Sequence, residues 1–373
     1  MKEGWEYKKL GEVCKIYQPQ TIASSLLKED GKYPVFGANG MIGRYDSYNH
    51  EDPEVLLCCR GATCGAINVS LPFSWINGNA MVVKPINDSF LKSFLRYILL
   101  TLDYSHIITG AAQPQITRTS LSPVTVPVPT IIEQQSIVDY LDSAFAKIDA
   151  MKANAEKALN EAKSLFQASL KEMLKPKEGW EEKKLGDICS DIRYGTSTPS
   201  NENGEYKYLR MNNITNDGFL DISHYKTISL PEKELEKCLV KRGDIIFNRT
   251  NSRELVGKSC VFTEDEKMVI AGYLIRIRVR DGFEPQFITY SMNLQRSLGL
   301  FQHLIVGAVH QANISANNIQ KVIINYPSLS EQQSIVETLD SLKSKVDRLQ
   351  ENYEKNSQEC DALKQAILRK VFE

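Results

Sequence analysis

Two stretches of this chain carry mostly apolar residues at alternating intervals of three and four. The first runs Leu141, Ala144, Ile148, Met151, Ala155, Ala158, Ala162, Leu165. The second runs Leu339, Leu342, Val346, Leu349, Tyr353, Asn356, Cys360, Leu363, Ile367. Lys, Glu, Asp and Gln fill the opposite sides, which is a coiled-coil pattern. Each seam follows a proline and a helix-start signature: Pro129 then Thr130–Glu133, Pro327 then Ser328–Glu331. A hydroxyl followed three residues later by Glu is a capping box. The spacing predicts helices over Glu133–Lys175 and Glu331–Glu373, 43 residues each. At about 1.5 Å per residue each would be roughly 65 Å long. Small residues midway along the first seam, against Tyr353 and Cys360 in the second, suit an antiparallel pair within the chain. Packing of each helix on its own domain, or against another chain, stays open.

Elsewhere the apolar pattern is short and strand-like. Glu54–Cys59 leads into the Gly-punctuated turn Arg60–Gly65; Asn77–Val83 is a turn followed by a strand. Gly243–Ser252 repeats the first shape, an apolar strand and then a polar loop. Tyr273–Arg280 alternates strictly, with Ile275, Ile277 and Val279 on one side and Arg276, Arg278 and Arg280 on the other.

The chain is also a repeat. Lys2–Cys14 and Lys177–Cys189 differ only at Tyr7/Glu182, Glu12/Asp187 and Val13/Ile188. Glu133–Val138 and Glu331–Val336 both read EQQSIV, and Leu141, Asp142, Ser143, Lys147 and Asp149 recur as Leu339, Asp340, Ser341, Lys345 and Asp347. Between head and helix lie dissimilar inserts, 15–132 and 190–330. Uniform drift would have eroded the whole unit evenly. Alike ends around unlike middles suit two parts that meet one kind of partner and read different targets.

Composition narrows the class. At 373 residues there is room for two or three domains. Lys+Arg is 45 against Asp+Glu 46, so any affinity for nucleic acid needs local positive charge. No run is long and apolar enough to span a membrane, and the start has no signal-peptide pattern. The eight Cys read as free thiols; Cys58, Cys59 and Cys64 lack the partners of a zinc set. There is no Walker A stretch and no (D/N)PP(Y/F) motif. The glycines Gly37, Gly40 and Gly43 are not a dinucleotide fingerprint.

The repeated head GWxxKKLG(D/E)(I/V)C, the segment GDIIFNRTNSRELVGK at 243–258 and the doubled Pro…EQQSIV helix start together resemble type I restriction–modification specificity subunits across the whole chain. The resemblance implies an α/β (α+β) fold with a pseudo-twofold internal repeat. Two target recognition domains, 1–132 and 176–330, would be separated by antiparallel coiled-coil helices at 133–175 and 331–373. Each domain would read half of a bipartite, asymmetric site in double-stranded DNA. The half-sites would lie one to two DNA turns apart, a turn being about 34–36 Å. Implied partners are two methyltransferase subunits, which use S-adenosylmethionine, and restriction subunits, which use ATP and Mg. This chain would itself hold no cofactor and no metal, have no catalytic residue, and work in the prokaryotic cytoplasm.

Side chains able to reach base edges or phosphates are expected at strand ends and loops. In the first insert these are Arg44, Arg60, Thr63, Asn77, Asn79, Gln115 and Arg118. In the second they are Arg210, Asn212, Asn213, Arg249, Asn251, Arg253, Arg276, Arg278, His310 and Gln311. Arg276 and Arg278 form either a phosphate track or a strand face with acidic partners. Two rivals remain: a metal-dependent nuclease built on Asp244 and the Asp265–Lys267 run, and a two-domain coiled-coil protein-interaction scaffold.

Overall fold

A computed structural model describes residues 4–110, 113–308 and 311–373. The chain forms two compact units. One runs through Lys157 and takes in Asn352–Glu373; the other is Ala158–Glu351. Both long helices are present, as Ile131–Met173 and Leu329–Phe372. Thr130 Oγ1 accepts from Glu133 N and Ser328 Oγ from Glu331 N, both at 3.4 Å, so the hydroxyl half of each capping box forms. Among the described residues no helix is long and apolar enough to cross a membrane.

The helices do not form a body of their own. In the first unit, Leu141 packs with Leu10, Phe94 and Leu368, and Phe372 joins this core. In the second, Phe166, Leu170 and Leu174 pack with Leu185, Phe287 and Leu339. Each core is thus closed by the far end of the other repeat's helix. Within the first unit Lys364 meets Asp149 at 2.5 Å and Lys152 meets Asp361 at 3.2 Å. One number rises as the other falls, so the paired segments are antiparallel.

The seam read from sequence needs a correction. Leu141, Ile148, Leu339 and Val346 are buried, but Met151 and Leu165 are 65% and 61% exposed and Leu363 is 50% exposed. Leu159 and Phe166 are buried instead, one residue further on. A seven-residue repeat fixes every second seam position; the intermediate one can fall on either of two neighbours. Here it falls on the later neighbour, and in the first unit that neighbour is twice a lysine. Lys152 and Lys364 lie over the seam with their ammonium groups on Asp361 and Asp149.

The dissimilar inserts share a central sheet order. In the first unit a four-stranded sheet runs Cys14–Tyr17, Ala80–Pro85, Val55–Cys58, Ile67–Val69; in the second it runs Cys189–Tyr194, Leu274–Val279, Ile245–Asn248, Ser259–Val261. All neighbours are antiparallel. A second sheet in each unit contains one parallel pair, Tyr33–Gly37 with Trp75–Ile76 and Tyr206–Leu209 with Met268–Ile270.

The repeated heads build a matching two-stranded ladder. Glu6–Lys9 pairs with Thr125–Val128 and Glu181–Lys184 with Ile323–Tyr326. Gly11 N donates to Ser122 O and Gly186 N to Gln320 O. A Cβ at either glycine would sit 3.0–3.1 Å from the Cβ of that same partner residue, so the repeated LG has a packing cause.

Candidate nucleic-acid interface

Strand register makes the two units comparable residue by residue. Cys58 pairs with Ala80, and Asn248 with Leu274. The next residue in each, Cys59 and Arg249, accepts at its carbonyl from Ile116 N at 3.0 Å and Ile314 N at 2.9 Å. One further on, Arg60 bridges to Gln115 and Thr250 pairs with Asn313. Phe36 lies beside Ile76 and Leu209 beside Ile270, so Gly37 corresponds to Arg210 and Asn79 to Tyr273. In each unit the strand-end loop therefore meets the segment that carries a candidate Gln, Gln115 in one and Gln311 in the other.

In the first unit Arg60, Asn79 and Arg118 are exposed. Thr63 is exposed and donates to Asn39 Oδ1 at 2.5 Å, which ties its loop to the turn between Tyr33–Gly37 and Gly40–Tyr45. Gln115 is half-buried. Asn77 and Arg44 do something else. Buried Asn77 accepts from Ile22 N at 3.0 Å, and Arg44 donates to Gly31 O and Lys32 O. Both hold loops through partners far off or across a turn, and the sequence carried no sign of it.

In the second unit Asn212 and Arg253 are exposed and Asn251 is half-buried. Arg210 and Arg249 line an open cleft of about 580 Å³ with Thr196–Ser200, Tyr208, Lys226 and Tyr273. Arg249 lies over the Tyr194 ring at 4.6 Å and donates to Gly272 O and Asn313 Oδ1. Asn213 is buried and donates to Asp221 O and His224 O, so it shapes the loop and does not face out. Gln311 is placed as backbone in Gln311–Asn313; His310 lies outside the described residues.

Arg276 and Arg278 do not form a phosphate track. Arg276 is buried; it donates to Leu239 O and, at 2.5 Å, to Asp191 Oδ2. Arg278 grips Asp244 with two bonds of 2.6 and 2.7 Å, and this carboxylate holds the guanidinium above its usual pKa. The alternation had the sidedness right. What it could not tell is that this side faces carboxylates. The first unit repeats the arrangement with Glu54, buried, between Lys84 at 2.7 Å and Lys92 at 3.1 Å.

The nuclease rival loses its residues to the same bonds. Asp244 is buried and spent on Arg278 and Lys241 N, and Asp265 pairs with Arg242. Among the described residues no group of His, Cys, Asp and Glu could hold a metal. Cys59 is buried and desolvation raises its thiol pKa.

Sequence reasoning missed Tyr194, Lys226, Tyr273 and the Thr196–Ser200 wall. A signal existed. Gly78 and Gly272 precede Asn79 and Tyr273, and a Cβ on either would press on Pro19 O at 2.5 Å or Thr196 O at 3.2 Å. The shared glycine marks where a second loop crosses the strand start.

The sequence profile of the type I restriction modification DNA specificity domain matches residues 2–161 and again 177–356. The chain belongs to this family. Its members are non-catalytic DNA-specificity subunits, and so is this chain. It is 25% identical to the EcoKI specificity subunit of Escherichia coli (strain K12), over 90% of this chain and 72% of that one. It is 24% identical to the StySPI specificity subunit of Salmonella potsdam, over 84% and 68%. In fold it is similar to a solved chain from work on assembly and conformational transition of the type I R-M system, with TM-score 0.74, 20% identity and coverage of 100% and 98%. The HsdS subunit from Thermoanaerobacter tengcongensis is also similar, at TM-score 0.58 and 19% identity.

Proposed function

We propose that each unit is a target recognition domain reading one half of a bipartite, asymmetric DNA site. The chain brings two methyltransferase subunits to that site, and restriction subunits join them, in a prokaryotic cytoplasm. S-adenosylmethionine, ATP and Mg belong to those partners.

The observation that carries this reading is the register equivalence of the two loop sets. One scaffold presents Gly37, Cys59, Arg60, Asn79 and Gln115 in one unit, and Arg210, Arg249, Thr250, Tyr273 and Asn313 at the same positions in the other. Matching frames with different side chains at the strand ends suit two different half-sites, contacted through backbone and bases. The apolar residues left exposed on the helices, Met151, Leu165, Leu349 and Leu363, offer surface for a partner.

The test is co-expression with the neighbouring methyltransferase and single-molecule sequencing of host DNA. The expected result is methyladenine in a two-part motif of fixed gap, absent without this chain. An assembled, active complex with no such motif would favour the interaction scaffold.

A further inference from the structure

The cleft in the second unit gathers more positive charge than the corresponding positions of the first. Its lining carries three cations, Arg210, Lys226 and Arg249, and no carboxylate. The carboxylate beside it, Glu234, accepts from the hydroxyls of Thr196 and Thr198. Lys226 is exposed and has no ion-pair partner among the described residues. Two further donors are left over: Nε of Arg210 and Nε of Arg249 are shielded from solvent and lack a hydrogen-bond acceptor. Nε of Arg276 and Nε of Arg296, away from the cleft, are shielded and without an acceptor as well, so the cleft is set apart by its three cations. The hydroxyls of Ser197, Ser200 and Tyr273 complete the lining. At the corresponding register positions the first unit has Gly37, Cys59 and Asn79, which are uncharged, and a single cation, Arg60, in the place of Thr250.

We propose that this cleft is a phosphate site: it takes a phosphodiester of the DNA backbone and anchors the second unit without reading sequence. The inference rests on the DNA-reading assignment above. It also answers the charge question raised by a chain of net charge −1, since the positive charge needed for nucleic acid is gathered here. Phosphate contacts set position and orientation, and sequence is left to neighbours that reach base edges. Here those neighbours are Asn212 and Arg253 at the adjoining loops. The division predicts unequal halves, with the second unit supplying more of the salt-sensitive affinity than the first.

The experiment uses the full chain in complex with its methyltransferase and a duplex bearing the motif found by methylome sequencing. DNA affinity is measured against salt for the native complex and for Lys226→Gln and Arg210→Gln. Lys226 is exposed on a strand, so its variant folds even if the Arg210 change disturbs the loop. Each substitution is expected to weaken motif and non-motif duplexes by the same factor. Each should lower the slope of log affinity against log salt by about one, while the methylated motif stays the same. Loss confined to the motif duplex, or a changed motif, would overturn the proposal and make the cleft a base reader. Unchanged affinity with inorganic phosphate bound in the absence of DNA would overturn it in favour of a small-anion site. Failure of the native complex to methylate any motif would instead count against the DNA-reading assignment.

Discussion

Gln134 and Gln332 stand at the same position of the two EQQSIV repeats and make the same bonds. Both are fully buried. Gln134 Nε2 donates to Pro129 O and its Oε1 accepts from Leu91 N; Gln332 Nε2 donates to Pro327 O and its Oε1 accepts from Glu284 N. Each amide therefore staples the start of a long helix to the start of its unit's inner helix. Eight residues on, Asp142 and Asp340 accept from the buried hydroxyls of Tyr97 and Tyr290. The repeat is thus kept alike partly by these latches, over and above any shared partner.

Removing one latch leaves a backbone N–H buried without an acceptor. Gln332→Ala should cost about 1–3 kcal/mol, and the Glu284 amide should be among the first to lose hydrogen-exchange protection. Exchange at Glu284 as slow as in the native chain would refute the latch.

The pair Asp244–Arg278 supports a structural role and no chemistry. Asp244→Ala should destabilise the second unit by about 1–3 kcal/mol, less than for a fully buried pair, since Arg278 can turn to water. It should leave plasmid DNA as uncut as the native chain does in magnesium. Metal-dependent nicking by the native chain that vanishes with Asp244→Ala or Asp265→Ala would reinstate the nuclease reading.

How far these elements were legible depends on what each signal measures. Helix starts were plain at Thr130 and Ser328, because capping is a local pattern of hydroxyl and Glu. The latch function of Gln134 was not, because its partners Leu91 and Pro129 come from separate segments. Period-two alternation placed Arg276 and Arg278 on one side of a strand. It carries no information about Asp191, on one neighbouring strand, or Asp244, just before the other. The heptad gave Leu141, Ile148 and Val346 but missed Leu159 and Phe166, since three-then-four and four-then-three spacings share every second position. Tyr273 was legible only through the glycine before it, Gly272, whose counterpart Gly78 is recognised once strand register aligns the two units.

Burial holds the repeated head thiols protonated. Desolvation pushes Cys14 and Cys189 up to about 12, and Cys260 likewise. A thiolate is the reactive form, so maleimide at pH 7 should label half-buried Cys360 and Cys64 before these three. The sign for stability follows from the raised folded values. The contribution is full below the unfolded thiol value of about 8.5 and is lost as pH rises through the folded values. Unfolding midpoints should therefore fall between about pH 9 and about pH 12, and Cys189→Ala should soften that fall. Equal labelling of all eight thiols in the folded chain would contradict the burial.

The long helices give the last test, of the proposal that their length sets the gap between the half-sites. None of the candidate reading residues lies on them. Deleting Asp149–Ala155 together with Gln358–Lys364 removes one seven-residue repeat from each antiparallel segment of the first unit, including both ion pairs. The remaining seam keeps its phase, since seven residues restore the same face. About 10 Å of helix is lost at 1.5 Å per residue, close to three base pairs of a duplex that advances about 34–36 Å per turn. Methylome sequencing of the shortened chain should show the two half-sites unchanged and the gap between them reduced. New half-sites at the old gap would mean that the helices take part in reading and do not set the distance.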